Sequence, residues 1–264
     1  MAFIRANGIV LHHQVVGPEN APPLVFANSL GSDFRIWQDI VPFFANRYRV
    51  VLYDQRGHGL SDAPSSPYTM DDHASDFLAL MDHLAVRKAA VVGVSFGGMI
   101  AQRVAATAPS RVAALVLIGT AVKIGTPQSW AERIAAVQQS GIESVADGVM
   151  QRWFTPLFRE QRPADWVGWR NMMVRTPAHG YAGTCAAIRD ADLTEGAARI
   201  SVPTLCIAGD QDGSTPPDLV RQTADLIPRA GFEIIEGAGH IPGIEQPDAT
   251  ARLIEQQLRE AGYV

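Results

Sequence analysis

Residues 93–97, Gly-Val-Ser-Phe-Gly, contain the serine of this 264-residue chain whose sequence context best suits it to a chemical reaction. They follow the apolar run 89–92, which predicts a buried strand, and precede a stretch of helical character that Pro109 ends. A sharp turn between a strand and a helix needs glycine where a Cβ would collide with neighbouring backbone. Such a turn raises the hydroxyl of Ser95 clear of the sheet and predicts a nucleophile.

A serine hydroxyl is a poor nucleophile at neutral pH, so a base must remove its proton and an acid must hold that base in one tautomer. Downstream of Ser95 the only histidines are His179 and His240. His179 falls in a predicted helical insertion, whereas His240 follows the apolar run 232–235 in a glycine-rich turn. We therefore predict His240 as the base.

The acid is expected in the turn after the apolar run 204–208, where Asp210 and Asp212 compete. The position three residues after Gly209 favours Asp212. Asp210 is better suited to brace the turn by accepting hydrogen bonds from backbone amides.

Two backbone amides are expected to bind the oxyanion of a tetrahedral intermediate. One belongs to Phe96, at a helix start where amides are free and the helix dipole favours negative charge. The other is that of Leu30, in the loop that follows the predicted strand 24–27. Each such donor stabilises the transition state by about 3 kcal/mol.

The elements that must position these residues alternate in type along the chain. Apolar runs predict strands at 9–16, 24–27, 50–53, 89–92, 114–118, 204–208 and 232–235. Helix-like segments separate most of them, which is typical of a parallel sheet wrapped by helices, while 9–16 ends at Gly17-Pro18 and suits an antiparallel edge. We predict an α/β fold with about eight strands, mostly parallel, and helices on both faces of the sheet.

Between Lys123 and Leu193 no strand-like run appears, and four of the five tryptophans fall there. Thr126 and Pro127 suit a helix start and Gly141 suits a helix end. We expect a helical cap at 123–193, inserted into a core formed by 1–122 and 194–264.

Aromatic and basic side chains of this cap are candidates for substrate binding. Trp130 and Arg133 share one helix face, and Trp153 ends a second apolar stripe. Arg133 either holds a substrate carboxylate or extends past the tryptophan to solvent, and Trp153 is either a lid over the substrate or cap core. Three further arginines compete for the carboxylate: Arg152, Arg175 and Arg189.

Composition and charge limit the classes of binding partner that we expect. The formal net charge is −5 with scattered Lys and Arg, which argues against nucleic acid. No segment has the length of a membrane span, and residues 1–15 lack an apolar run with a cleavage site, so we expect no membrane and a cytoplasmic location. Cys185 and Cys206 lack zinc-ligand spacing and are expected to be free thiols. We expect no metal or cofactor, a small-molecule substrate, and a monomer or small homo-oligomer.

Several segments together resemble the α/β-hydrolase superfamily, over nearly the whole chain. Besides 93–97, residues 54–61 (Asp-Gln-Arg-Gly-His-Gly-Leu-Ser) resemble its turn after the fourth strand, in which His58 is expected to be a structural hydrogen-bonder. Within the superfamily, segments 28–31, 152–156, 180–193 and 239–247 most resemble the 3-oxoadipate enol-lactonases.

The resemblance implies hydrolysis of a carboxylate-bearing enol-lactone to 3-oxoadipate, in the β-ketoadipate pathway of aromatic catabolism, through an acyl-enzyme. Alternatives with the same triad are a general carboxylesterase, a perhydrolase and a C–C hydrolase. A small-molecule receptor of low turnover on the same fold is a further alternative. Residues 28–31 differ from the glycine-rich loop of C–C hydrolases, and Ser95 replaces the aspartate of dehalogenases and epoxide hydrolases.

Overall fold

Eight strands form one sheet in the computed structural model, which describes residues 1–263. The strands are β1 (Ala2–Ala6), β2 (Ile9–Val16), β3 (Pro23–Ala27), β4 (Arg49–Tyr53), β5 (Ala89–Val94), β6 (Val112–Ile118), β7 (Thr204–Gly209) and β8 (Gly231–Ile235). Their order in the sheet is β1-β2-β4-β3-β5-β6-β7-β8. β2 pairs antiparallel with β1 and β4, and all other pairs are parallel.

All seven predicted strands are present, and β2 pairs antiparallel as predicted, but it is not the edge of the sheet, because β1 lies outside it. Sequence analysis did not name β1, the outermost strand, in which only Ile4 is buried. Its signal lies in the connection to β2, where Asn7 and Gly8 adopt φ values of +48° and +80°. Asn-Gly at positive φ is the preferred two-residue hairpin turn, so this dipeptide carried the information.

Helices cover the sheet, and every residue of β5 and β7 is buried. Strands buried along their whole length need cover on both faces, which explains their continuous apolar sequences. The helices are α1 (Val41–Phe44), α2 (Met70–His83), α3 (Phe96–Thr107), α4 (Pro127–Ser140), α5 (Glu143–Trp153), α6 (Pro156–Gln161), α7 (Pro163–Val174), α8 (Ala178–Asp190), α9 (Thr194–Ala197), α10 (Pro217–Leu226), α11 (Pro242–Glu245) and α12 (Pro247–Glu260).

The predicted helical insertion lies between β6 and β7, where helices α4–α8 follow one another. Helix α4 begins and ends as predicted: the Thr126 side chain accepts from the amide of Ser129, and Gly141 follows the last helical residue with φ +75°. Helices α6, α7 and α8 were not predicted, although α6 and α7 begin with proline in the first turn. The exact division at 123 and 193 stays a prediction.

The topology brings the predicted chemical residues to one edge of the sheet. The loop 28–31 follows β3, Ser95 follows β5, Asp212 follows β7 and His240 follows β8. Carboxyl ends of parallel strands lie on the same side of a sheet, where open α/β folds bind their ligands.

Cys185 and Cys206 are buried free thiols, as predicted. Within residues 1–263, no helix combines the length and apolar character needed to cross a bilayer. The cytoplasmic location, the exclusion of nucleic-acid partners and the oligomeric state stay predictions from the sequence.

Candidate active site

Ser95 occupies a strained turn between β5 and α3, with φ +56° and ψ −118°. A Cβ on Gly97 would lie 2.2 Å from the carbonyl oxygen of Ala27, and one on Gly93 would lie 2.4 Å from that of Gly97. Both positions therefore need glycine, because the start of α3 passes directly over the ends of β3 and β5. The amide of Ser95 donates to the Ile118 carbonyl at 2.8 Å, which ties the turn to β6.

His240 is hydrogen bonded to Asp212, with 2.8 Å between Nδ1 and Oδ2, and both side chains are almost fully buried. The amides of Ser214 and Thr215 donate to Asp212 Oδ1 at 2.7 and 2.9 Å, and the Thr215 hydroxyl donates to Oδ2 at 2.7 Å. These donors keep Asp212 a hydrogen-bond acceptor. The imidazole must then donate from Nδ1, which leaves the lone pair of Nε2 free to accept a proton.

Asp210, the competing acid, is exposed and lies on the other side of the turn. Its Oδ1 accepts a hydrogen bond of 3.0 Å from the amide of Ala238. The structure thus places Asp212, and not Asp210, against His240, and it gives Asp210 the bracing contact that sequence analysis expected.

Ser95 and His240 line one cavity of about 140 Å³ between the sheet edge and the cap. The other predicted residues on its wall are Leu30, Trp130, Arg133 and Trp153. Of the remaining predicted site residues, Asp212 lies behind His240, and Phe96 has its side chain buried in the core. Only the backbone amide of Phe96, the first of helix α3, can serve a ligand, and amides at this position have no partner inside their own helix.

Asn28 shapes the loop that carries Leu30, a role that sequence analysis missed. Its side chain donates to the Tyr53 carbonyl at 2.7 Å and accepts from Trp37 Nε1 at 2.8 Å. The Gln55 side chain donates to the Asn28 carbonyl at 2.7 Å. A fully buried amide with donor and acceptor both used fixes the loop against β4 and its following turn.

His58 holds the same loop from the other end, as its predicted structural role requires. Its Nδ1 lies 3.0 Å from the Arg56 carbonyl, and its Nε2 accepts from the amide of Gly31 at 2.9 Å. Only a neutral imidazole can donate at one nitrogen and accept at the other. Burial lowers the pKa of His58 from 6.5 to about 4, which keeps it neutral.

This histidine predicts a pH dependence of stability. The unfolded chain protonates His58 near pH 6.5 and the folded chain only near pH 4, so between these values the unfolded state binds more protons. Stability supplied by neutral His58 is therefore present above pH 6.5 and is lost as the pH falls toward 4, by about 2 kcal/mol between pH 8 and pH 5.

Urea unfolding at pH 8 and pH 5 measures this contribution. In His58→Gln, whose amide can also donate and accept, the loss of unfolding free energy over that interval should be about 2 kcal/mol smaller than in the parent protein. His83→Gln, at an exposed histidine, controls for removal of one imidazole. An unchanged pH dependence in His58→Gln would mean that the folded and the unfolded chain protonate His58 over the same pH range.

Two of the four candidate arginines, Arg133 and Arg152, line the cavity. Neither forms an ion pair with a carboxylate of residues 1–263. The Arg133 guanidinium lies 4.7 Å from the ring centroid of Trp130. Burial, and then the charge of Arg133, lower the pKa of Arg152. Two neighbouring cations without anionic partners create a positive potential where a ligand would bind.

The other two arginines lie elsewhere. Arg175 is exposed and lines a different cavity beside His12, and Arg189 is paired with Asp190 at 2.7 Å. The sequence placed only Arg133 on a helix face shared with Trp130, and the packing is what separates Arg152 from Arg175 and Arg189.

The remaining walls of the cavity are aromatic. Trp130 donates from Nε1 to the Ile124 carbonyl at 2.6 Å. Trp153 is 3% exposed, and its carbonyl oxygen accepts from the amide of His240 at 2.8 Å. Trp153 is thus both cap core and cavity wall. Tyr181 also lines the cavity, and its buried hydroxyl has no hydrogen-bond partner in the described part of the chain.

The strand order, the strained serine turn and the buried histidine–aspartate pair define the class of protein. The family model of the alpha/beta hydrolase fold matches residues 22–247, and the chain belongs to this family. The predicted superfamily and the prediction of an enzyme are therefore confirmed.

Within the family, the chain is similar to several enol-lactonases. It is 35% identical to 3-oxoadipate enol-lactonase 2 of Acinetobacter baylyi over 97% of this chain and 96% of that one. It is 37% identical to 3-oxoadipate enol-lactonase 1 of the same organism over 92% and 90%. The crystal structure of the enol-lactonase from Burkholderia xenovorans LB400 superposes with a TM-score of 0.95 at 36% identity, covering 98% of this chain and all of that one.

Proposed function

We propose that this protein is a serine hydrolase that opens a small lactone bearing a carboxylate, 3-oxoadipate enol-lactone, to give 3-oxoadipate in the β-ketoadipate pathway. The observation that carries the proposal is the pair Arg133 and Arg152, which line the same small cavity as Ser95 and form no ion pair with a carboxylate of residues 1–263. The similarity to enol-lactonases over nearly the whole chain supports it.

In the acylation step, Nε2 of His240 takes the proton of Ser95 while Oγ attacks the lactone carbonyl. The amides of Leu30 and Phe96 bind the resulting oxyanion, because they are backbone donors that need no reorganisation. The ring C–O bond then breaks and the leaving oxygen departs as an enolate. The proton on His240 then passes to this oxygen, which gives the enol and returns His240 to its neutral form. Because an enolate is a stable leaving group, this transfer need not precede cleavage of the C–O bond.

In the deacylation step, neutral His240 removes a proton from water, and the resulting hydroxide attacks the acyl carbon. The same two amides bind the second oxyanion. Collapse of this tetrahedral intermediate transfers the proton of His240 to Ser95 Oγ and releases a carboxylic acid. The enol formed in the acylation step tautomerises to the ketone. One water is consumed and no redox change occurs. Throughout, Asp212 stabilises the imidazolium and holds the tautomer that its hydrogen bond to Nδ1 requires.

Charge and size support an anionic substrate over a neutral ester. A cavity of about 140 Å³ is small beside the ~300–1,000 Å³ typical of sites for drug-sized ligands, which favours a short acyl compound. Planar guanidinium groups suit bidentate hydrogen bonds to a carboxylate. A general carboxylesterase or perhydrolase has no use for two unpaired cations at this place.

Alanine substitution of the arginines tests the substrate. In Arg133→Ala and Arg152→Ala, KM for 3-oxoadipate enol-lactone should rise about 10- to 100-fold, the value of a hydrogen bond to a charged group. KM for the neutral ester p-nitrophenyl acetate should stay within about twofold, because this ester has no carboxylate. Both substrates are followed spectrophotometrically.

Arg189→Ala is the matched control, since Arg189 lies outside the cavity and is paired with Asp190. It should leave KM for both substrates unchanged. An equal rise in KM for both substrates in Arg133→Ala and Arg152→Ala would mean that these arginines do not bind a substrate carboxylate. Hydrolysis of the neutral ester without turnover of the lactone would replace the enol-lactone by another ester.

A further inference from the structure

Residues 152–155, which are the last two residues of helix α5 and the two that follow (the α5 end), are hydrogen bonded to both loops that carry the proposed acid and base. The Arg152 carbonyl accepts from the amide of Gly213 at 3.3 Å, next to Asp212. The carbonyl of Trp153 accepts from the amide of His240 at 2.8 Å. Two consecutive cap residues thus contact the two loops, and the side chain of the first of them faces the cavity.

Glu245, at the end of α11, adds a third connection through its side chain. Its Oε2 accepts from the amide of Gly239 at 2.7 Å. Its Oε1 accepts from the amide and the hydroxyl of Thr155 at 3.0 and 2.7 Å. One carboxylate therefore joins the residue before His240 to the α5 end, although Glu245 and Thr155 are 90 residues apart in the sequence.

The contact is closely packed. A Cβ on Gly239 would lie 2.4 Å from the Trp153 carbonyl oxygen and 2.8 Å from Glu245 Oε2. The backbone before His240 thus fits between the α5 end and the carboxylate, with no room for a side chain. Arg162 donates to the Ile244 carbonyl at 3.0 Å, so a cap cation also holds the backbone just before Glu245.

We propose that Glu245 is a positioning residue for His240: it locks the histidine loop to the cap segment that carries Arg152. The proposal rests on the serine hydrolase mechanism described above. Its consequence is that the group binding the substrate anion and the base acting on Ser95 are attached to one short stretch of backbone. Displacement of a catalytic group by about 1 Å can cost on the order of 100-fold in rate, so this attachment matters for kcat.

The chemistry of the carboxylate makes the lock specific. Glu245 accepts from three donors on two segments and needs both of its oxygens to do so. A glutamine of the same shape offers one oxygen and one NH₂ group. In either orientation, its NH₂ faces an N–H donor of Gly239 or the donors of Thr155, so one of the two segments is released.

The test compares Glu245→Gln with Glu236→Gln in the full chain. Glu236 is exposed and lies four residues before His240, so it is a control for the same chemical change near the same loop. With p-nitrophenyl acetate, Glu245→Gln should lower kcat about 10- to 100-fold and leave KM within about twofold. The rate at which a fluorophosphonate labels Ser95 should fall in parallel, because this reaction also needs the base. Glu236→Gln should match the parent protein in all three quantities.

Thr155→Val keeps the test decisive if Glu245→Gln does not fold. It removes the hydroxyl donor to Glu245 and keeps the amide donor, so kcat should fall by a smaller factor, about 3-fold. A parent-like kcat in folded Glu245→Gln, or in Thr155→Val when the first variant is unfolded, overturns the proposal. A rise in KM without loss of kcat also overturns it.

The neutral ester separates this proposal from the substrate assignment. If the parent protein hydrolyses p-nitrophenyl acetate but not the lactone, and Glu245→Gln lowers kcat for the ester, the positioning role stands and the enol-lactone is wrong. If the lactone is turned over and Glu245→Gln is parent-like on both substrates, the positioning role is wrong and the substrate stands.

Discussion

Replacing Ser95 by alanine is expected to lower kcat for both the lactone and p-nitrophenyl acetate by about 10⁵- to 10⁶-fold, as loss of the nucleophile does in serine hydrolases. Without the hydroxyl no acyl-enzyme forms, and only binding and the oxyanion donors remain to assist attack by water. The fold should persist, because the backbone contacts of residue 95 to β6 and to Thr120 do not involve the side chain. Steady-state kinetics and far-UV circular dichroism measure the two expectations.

Ser214→Ala is the matched control for this loss. Ser214 lines the same cavity, and its contact to Asp212 is made by its backbone amide. Its activity should stay within about threefold of the parent protein. Mass spectrometry after treatment with a fluorophosphonate should show one adduct on Ser95, absent in Ser95→Ala. Retained activity in that variant, with an adduct elsewhere, would assign the nucleophile to another residue.

Replacing Asp212 by asparagine is expected to lower kcat by about 10⁴-fold while leaving the fold intact. Two backbone amides point at Oδ1, so the oxygen of the asparagine side chain must take that position. Its NH₂ group then faces Nδ1 of His240, which can only accept there. The imidazole is forced to carry its proton on Nε2, and in this tautomer it cannot take the proton of Ser95.

Asp210→Asn separates the two candidate acids. Asp210 is exposed and contacts only the amide of Ala238 in this turn, so its replacement should change kcat by less than about fivefold. The pair of variants is measured with p-nitrophenyl acetate from pH 6 to pH 9. A large loss in Asp210→Asn together with parent-like kinetics in Asp212→Asn would exchange their roles.

The turn that bears Ser95 was predictable because its signal, two glycines around a serine directly after an apolar run, is local. The contact that requires Gly93 is also local, since it is with the backbone of Gly97, whereas Gly97 is required by the carbonyl of Ala27 at the end of β3. The buried strands were predictable for a similar reason, since continuous apolar runs bounded by turn residues have few other uses in a chain of this composition. The outermost strand β1 escaped prediction because a short strand with a single buried residue carries almost no pattern.

The substrate-binding residues of the cap were only partly predictable. Helical periodicity placed Trp130 and Arg133 on one face of α4, and both line the cavity. The sequence put Arg133 first but did not separate Arg152 from Arg175 and Arg189, because a helical repeat says which side chains share a face and not what that face contacts.

From the residues alone come the strand–turn–helix unit at Ser95, the chain order of nucleophile, acid and base, and the α/β class, because steric demands and hydrophobic periodicity act over a few neighbouring positions. Packing over long sequence separations sets Asp212, which the sequence already favoured over Asp210, against His240, gathers Arg133 and Arg152 at one cavity, and sets Glu245 between Gly239 and Thr155. These choices depend on how loops from different strands meet above the sheet. The local sequence of a loop does not specify these contacts, because it is the same whichever other loop packs against it.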